Sequence, residues 1–358
     1  MGKLWSSRTR IIYAGAIFGA LAALMTLWGN PLNMGICVAC FIRDIAGALG
    51  LQRAETVQYL RPEIPAFVLG AFGSSLVFRE FRPRGGSSPI IRFILGAFVM
   101  IGAMVFLGCP VRMVLRLAGG DLNAVPGLAG LISGVLVGIF FLKKGFNLGR
   151  ANKMNAVSGW LMPGLMVGIL LLAFLKPGFI FQSQKGPGSL FAPLGISLAA
   201  GLAVGFLVQR TRMCFVGAWR DVFLVKDFHL LSGVVAFFIA ALITNYAVGF
   251  FASGTYHWGF TSEPIAHTDF IWNFLGMSLV GLAATQLGGC PLRNLILSGE
   301  GDTDAGVTIM GMFAGAAIAH NFGLASSSAG PSALGPWAVI LGLVIAVALG
   351  LMMRTKLS

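Results

Sequence analysis

Gly108-Cys109-Pro110-Val111-Arg112 occurs a second time as Gly289-Cys290-Pro291-Leu292-Arg293, and each copy runs on to a Gly-Asp pair at the same distance, Gly120-Asp121 and Gly301-Asp302. The copies lie 181 residues apart in a chain of 358. A second match keeps the same order: Cys37-Val-Ala-Cys40-Phe-Ile-Arg43-Asp44 aligns with Cys214-Phe-Val-Gly-Ala-Trp-Arg220-Asp221, at an offset of 177. Both read Cys, five residues, Arg-Asp. Two collinear matches at nearly one offset mark an internal duplication.

The duplication sits in a chain far too apolar for water. Apolar residues make up 57% and charged residues 10%, with a mean hydropathy of +0.86, which places it among polytopic membrane proteins. A spanning helix needs about 20 mainly apolar residues. Such runs occur around 11–28, 64–78, 93–107, 122–142, 158–175, 192–208, 230–251, 270–287, 304–322 and 335–353. The expected fold is therefore an all-α polytopic membrane protein with about ten transmembrane helices.

The net charge of +13 does not imply nucleic acid, because the bases are scattered over short connections rather than set in a stripe with aromatic platforms. They follow the positive-inside rule. Lys3, Arg8 and Arg10 precede the first span, and the even-numbered connections carry Arg79, Arg82, Arg84 and Arg92, then Lys143, Lys144, Arg150 and Lys153, then Arg210, Arg212 and Lys226. Arg354 and Lys356 close the chain. Both termini are thus expected in the cytoplasm, and residues 1–10 lead into a full span without a cleavage site. Connection 252–269 has no Lys or Arg, as an outer loop should. Two stretches break the rule: 29–63 holds Arg43, Arg53 and Arg61, and the stretch after Gly108 holds Arg112 and Arg116.

Four segments, 37–50, 109–119, 214–226 and 290–299, are apolar but only about 10 to 14 residues long, and each contains Arg. That length suits re-entrant half-helices, whose ends are tolerated at membrane depth only inside protein or around a water-filled cavity. Each half then holds five spans and two half-helices, with 1–176 as the first repeat, 177–191 as a connecting loop and 192–358 as the second repeat. Five is odd, so the second repeat is expected upside down relative to the first. Cys37 and Cys109 then approach from one side, Cys214 and Cys290 from the other, and four thiols converge on one axis.

Proline is favoured at the first helical position, which puts Cys109 and Cys290 at N-caps. Free amides and the positive end of the helix dipole favour an anion there, and Arg112 and Arg293 follow three residues later on the same face. The candidate ligands are Cys37, Cys109, Cys214 and Cys290 with Arg43, Arg112, Arg220 and Arg293. Arg43 and Asp44 are adjacent and are expected to point to separate partners. Cys40, without a mate, reads as a packing residue, and Asp121 and Asp302 read as N-caps. His257 and His267 read as surface residues, and none of the four histidines has metal-ligand spacing. Gly15, Gly19, Gly130, Gly134 and Gly138 read as close helix contacts.

These motifs together resemble the YeeE/YedE family of bacterial inner-membrane transporters, over nearly the whole chain. The resemblance implies uptake of a small sulfur-containing anion, thiosulfate being the characterised class, along cysteines that line a narrow central path. Carried over, the relay positions are Cys37, Cys109 and Cys290, with Cys214 matching by internal symmetry. The wording around Cys37 and around Arg210-Thr-Arg-Met-Cys214 is more similar to the YedE branch, associated with selenium metabolism. The implied partners are a sulfur- or selenium-containing anion and the lipid bilayer. A cytoplasmic sulfur- or selenium-handling protein could dock on the basic loops at 79–92 and 143–153.

No nucleotide-binding loop or soluble domain is visible, and the expectation is a non-enzyme without cofactor or metal. A competing reading takes Cys37-Val-Ala-Cys40 as a Cys-x-x-Cys redox pair, as in a membrane thiol-disulfide oxidoreductase. It leaves the duplicated motifs unexplained.

Overall fold

The computed structural model describes residues 7–354; Lys3 and Lys356, used above for orientation, lie outside them. The described chain is almost wholly helical. The first half contains α1 (Ser7–Leu27), α2 (Val38–Ala48), α3 (Glu63–Val77), α4 (Pro89–Phe106), α5 (Pro110–Ala118), α6 (Ala124–Lys143) and α7 (Ala156–Leu175). The second contains α8 (Leu194–Thr211), α9 (Gly217–Val225), α10 (His229–Ala247), α11 (Phe270–Leu287), α12 (Pro291–Gly299), α13 (Thr303–Asn321) and α14 (Gly335–Met352).

Every one of the ten apolar runs is a helix, and eight are long and apolar enough to cross a membrane. The other two differ for identifiable reasons. Helix α3 has only 15 residues, about 22 Å of rise. Helix α13 carries Asp304 in its first turn and ends in His320 and Asn321, which lowers its hydropathy. The chain is a multi-pass membrane protein of the all-α class. The four short segments are the short helices α2, α5, α9 and α12, of 11, 9, 9 and 9 residues.

Packing runs between the halves rather than within them. Helix α1 lies on α10 while α3 lies on α8, and α4 lies on α13 while α6 lies on α11. If α1 to α7 are matched in order with α8 to α14, each of these contacts has its counterpart. The short helices obey the same exchange: α5 touches α10, α6 and α1, and α12 touches α3, α13 and α8. Helices α7 and α14 keep it only in part: α7 on α13 matches α14 on α6, but α7 also rests on α3 and α12, and α14 on α11 and α4.

Glycine makes the four cross-half contacts possible. A Cβ on Gly15 would stand 2.1 Å from the carbonyl oxygen of Gly233, and one on Gly19 2.1 Å from that of Phe237. Gly130 and Gly134 meet Phe274 and Ser278 in the same way, at 2.0 Å each, while Gly138 meets the side chain of Thr285. In lipid, where burial of apolar surface drives little association, such backbone-to-backbone approach supplies the packing.

Part of the basic loops at 79–92 and 143–153 is engaged within the chain, while Arg79, Arg82, Lys143, Lys144 and Arg150 are exposed. Residues Arg84–Gly85 pair antiparallel with Asn152–Lys153. Arg84 reaches Asp302 at 2.8 Å, and Arg92 lies 3.6 Å from Asp304.

Candidate functional site

Helices α4 and α11 stop in the same manner. Leu107 (φ 64°) and Gly288 (φ 82°) turn left-handed, and the next residues, Gly108 and Gly289, donate back to the carbonyls of Ala103 and Ala284. That closure satisfies the carbonyls the helix would otherwise leave bare. Cys109 and Cys290 follow as N-caps in extended backbone, and Pro110 and Pro291 open α5 and α12. Gly-Cys-Pro is thus a stop and an immediate restart, with a thiol at the break.

Cys37 caps α2, its Sγ accepting from the Cys40 amide at 3.3 Å. Cys214 precedes α9, and its Sγ accepts from the amides of Gly217 at 3.2 Å and Cys290 at 3.3 Å. The five cysteines are free thiols, all buried. Their contacts fall into two groups. In the first, Cys37 Sγ lies 2.8 Å from Cys40 Sγ and 3.9 Å from Cys109 Sγ. Cys214 and Cys290 form the second, and α2 packs on the α12 that Cys290 begins. Among the described residues no group of three His, Cys, Asp or Glu is arranged to hold a metal ion.

Cys40, read from the sequence as a packing residue, is fully buried and also has polar contacts. Besides Cys37 it meets Arg112, whose Nη1 donates toward Cys40 Sγ at 3.4 Å. The same guanidinium donates to the carbonyls of Asn33 at 3.0 Å and Ile265 at 2.9 Å. Asn33 is 2% exposed, yet neither atom of its side-chain amide has a protein partner. A buried amide without partners costs about 1–3 kcal/mol, so a donor and an acceptor stand open at Asn33, with its Oδ1 beside Gly119.

Arg43 and Asp44 do not take separate partners. Arg43 donates through Nε and Nη2 to Asp44 Oδ1 at 2.9 and 2.7 Å, and Arg220 pairs with Asp221 at 2.8 Å. The long arginine stem folds back to its short neighbour although their Cβ atoms diverge. In the first half this leaves Asp44 Oδ2 for Arg61, at 2.8 Å. Arg61 is fully buried and also donates to the carbonyls of Pro187 and Leu190.

The halves differ in cover. All of α2 is buried, but α9 buries only Gly217 and Ala218. The Arg220 and Asp221 side chains are 28% and 20% exposed, against 5% and 0% for Arg43 and Asp44. The long 29–63 connection wraps α2, whereas α9 joins its neighbours by a few residues. Arg293 is partly exposed and pairs with Glu300 at 3.1 Å.

Asp302 caps α13 as expected, accepting from Ala305 at 3.0 Å. Asp121 does not cap α6, whose N-cap is Asn123. It is the buried counter-ion of Arg116, at 2.5 Å. Both residues are fully buried, and the other Asp121 oxygen, Oδ1, accepts from the backbone and side-chain amides of Asn123 at 2.9 Å each. His267 is likewise not at the surface: it is 1% exposed and its Nε2 lies 2.9 Å from the carbonyl oxygen of Val105, clipping its loop to α4.

Arg61, Arg116 and Asn33 were not among the sequence candidates. Arg61 and Arg116 did leave a signal, as bases in connections where the charge rule calls for none. Both turn out to be buried ion partners rather than loop charges. Asn33 left no such signal.

Residues 210–355 match the family described as Sulphur transport (Sulf_transp). No curated protein matches the chain. The matched stretch runs from the end of α8 through α14 and includes Cys214, Arg220, Cys290 and Arg293, so this part of the chain is similar to sulphur transporters.

Proposed function

We propose that the chain passes a small anion with a terminal sulfur or selenium atom, of the thiosulfate type, across the bacterial inner membrane by way of its two thiol groups. One observation carries the reading. Both copies of Gly-Cys-Pro put a buried thiol at a helix start, and each thiol has a second cysteine beside it, Cys37 with Cys109 and Cys214 with Cys290. A thiol offers a weak S–H donor and a polarizable acceptor to a soft terminal atom, while amides and Arg112 suit the negative oxygens. Passage needs several sites that are each weak, and sulfur atoms that hold the anion by weak hydrogen bonds rather than covalently fit that need. The Sulphur transport match over the second half supports the same substrate class.

The exchange of helix partners between halves supports two repeats, 1–176 and 192–358, joined by 177–191 and inverted by their five spans each. Ten spans then cross the membrane, both ends lie in the cytoplasm, and the thiol groups serve opposite faces. Cys37, Cys109, Cys214 and Cys290 contact the passing anion, and so does Cys40. Arg112 supplies the inner positive charge. Arg43, Arg220 and Arg293, paired with carboxylates, hold the half-helices in place and lower the barrier to an anion at longer range.

Purified protein in proteoliposomes is expected to take up thiosulfate or a selenium analogue, and Cys109→Ala and Cys290→Ala to abolish uptake while the protein stays folded. Normal uptake in both variants overturns the reading.

A further inference from the structure

The connection between α10 and α11, residues 248–269, lies over the first thiol group. Gly259 and the turn at Gly120-Asp121 form a short parallel bridge, with Leu122 donating to the Gly259 carbonyl at 2.9 Å and Gly259 to that of Gly120 at 3.1 Å. Asn123 Nδ2 donates to the Phe260 carbonyl at 2.8 Å, and the Tyr256 hydroxyl accepts from the backbone N–H of Asn33 at 2.9 Å. Arg112 itself grips the connection at the Ile265 carbonyl. The guanidinium that touches Cys40 therefore also holds the cover down.

Glu263 sits inside this cover. Its side chain is 1% exposed, and neither carboxyl oxygen has a hydrogen-bond partner. Across the same interface Arg116, bound to Asp121, keeps its Nη2 buried and unpartnered. An ionised carboxylate left dry and unpaired is costly, so such a group takes up a proton instead. The charged and titratable groups around it are Asp121 from the α5–α6 turn, Arg116 from α5, and, on its own connection, Tyr256 and His257, whose Nε2 is 3.4 Å from Oε1.

We propose that Glu263 is a proton-binding site linked to anion admission: protonated, it lets the anion approach Arg112, Arg116 and the Cys37–Cys40–Cys109 group, and ionised, it repels it. This deepens the transport reading and rests on it. The linkage is reciprocal, so a bound anion also tightens the proton on Glu263. Asp44, a fully buried acid near the first thiol group, is unsuited to the task because both its oxygens are already taken, Oδ1 by Arg43 and Oδ2 by Arg61. Burial first, and the Asp121 carboxylate second, push Glu263 up to about 7, within the range a cell envelope experiences.

The test compares wild type with Glu263→Gln, which keeps the shape and stays neutral. Thiosulfate uptake into proteoliposomes is measured at matched inner and outer pH. Wild type is expected to lose about tenfold in initial rate from pH 6 to pH 8, as one site titrates near the middle of that interval. E263Q is expected to hold the pH 6 rate throughout. Infrared difference spectra of wild type minus E263Q supply a second readout: a protonated-carboxyl band present at pH 6, fading by pH 8, and retained to higher pH when thiosulfate is added. Uptake in E263Q with the wild-type pH slope, or no such band, overturns the assignment of Glu263 and leaves the transport reading standing. Absence of sulfur-anion flux in both proteins at every pH overturns the transport reading and this inference with it.

Discussion

Arg112 reaches past Cys109, the cysteine that begins its own helix, and sets its Nη1 3.4 Å from the Sγ of Cys40 on α2. Three elements meet at this one guanidinium, because it also binds Asn33 before α2 and Ile265 after α10. A planar fork can serve three acceptors in different directions, whereas an ammonium is a compact point charge. Arg112→Lys is therefore expected to keep the charge but lose the assembly, with thiosulfate uptake down at least about tenfold and stability down about 2–3 kcal/mol. Cys40→Ala removes one thiol and little volume. It is expected to cut uptake several-fold with a melting temperature near that of wild type. Full uptake in C40A would return Cys40 to a packing role.

Two ion pairs that follow the duplicated Gly-Asp motif make a direct comparison of burial. Arg116 and Asp121 are both 0% exposed, while Arg84 and Asp302 are 32% and 14% exposed. Removing one partner of a buried pair strands a charge and costs about 3–5 kcal/mol. A pair open to water is worth about 0–1 kcal/mol. Asp121→Asn should consequently destabilise the protein far more than Asp302→Asn does, as read by thermal unfolding in detergent. The cap from Asp302 to Ala305 survives partly in the asparagine. Equal losses would mean that burial does not separate the two copies.

The helices were legible in the sequence because spanning segments are long and nearly unbroken, and each expected run lies within a few residues of a helix. The half-helix starts were legible too, since Cys-Pro after Gly carries its own stop-and-start chemistry. Which arginine meets which acid was not. Arg61 crosses 17 residues to Asp44 and Arg112 crosses 72 to Cys40, and no local pattern encodes such distances. The side-chain reach of Arg43 defeated a rule based on Cβ direction. The exposure of α9 depends on how long a neighbouring connection is and where it lies. Glu263, one of two acids in a connection without Lys or Arg, gained meaning only when Asp121 and Arg116 were found facing it.

The glycine contacts can be tested against a glycine that has none. A Cβ at Gly134 would come within 2.0 Å of the Ser278 carbonyl oxygen, and backbone cannot yield as a flexible side chain does. Gly168 in α7 has open space in that direction. Gly134→Ala is expected to force α6 and α11 apart and to reduce folded yield sharply. Gly168→Ala should be neutral or stabilising by up to about 1 kcal/mol, the helix preference of alanine over glycine. Size-exclusion profiles and thermal unfolding of the two variants measure the contrast. A well-folded G134A would show that the helix pair adapts, and the cross-half packing would then be looser than the structure describes.

The pH dependence of stability follows from Glu263 with a definite sign. An exposed glutamate titrates near ~4.3, and in the folded chain burial and Asp121 raise Glu263 to about 7. The folded state thus holds the proton more tightly than the unfolded one. Its contribution to stability is complete below the unfolded value and is lost as pH rises through the folded value. Wild type is therefore expected to lose melting temperature from about pH 5 to pH 8 relative to Glu263→Gln, whose amide cannot ionise. The difference should level off above that interval, where Glu263 is ionised in both states. Parallel curves for the two proteins across the whole range would mean that Glu263 is already ionised in the fold, with a partner such as His257 or Arg116 closing on its free oxygens.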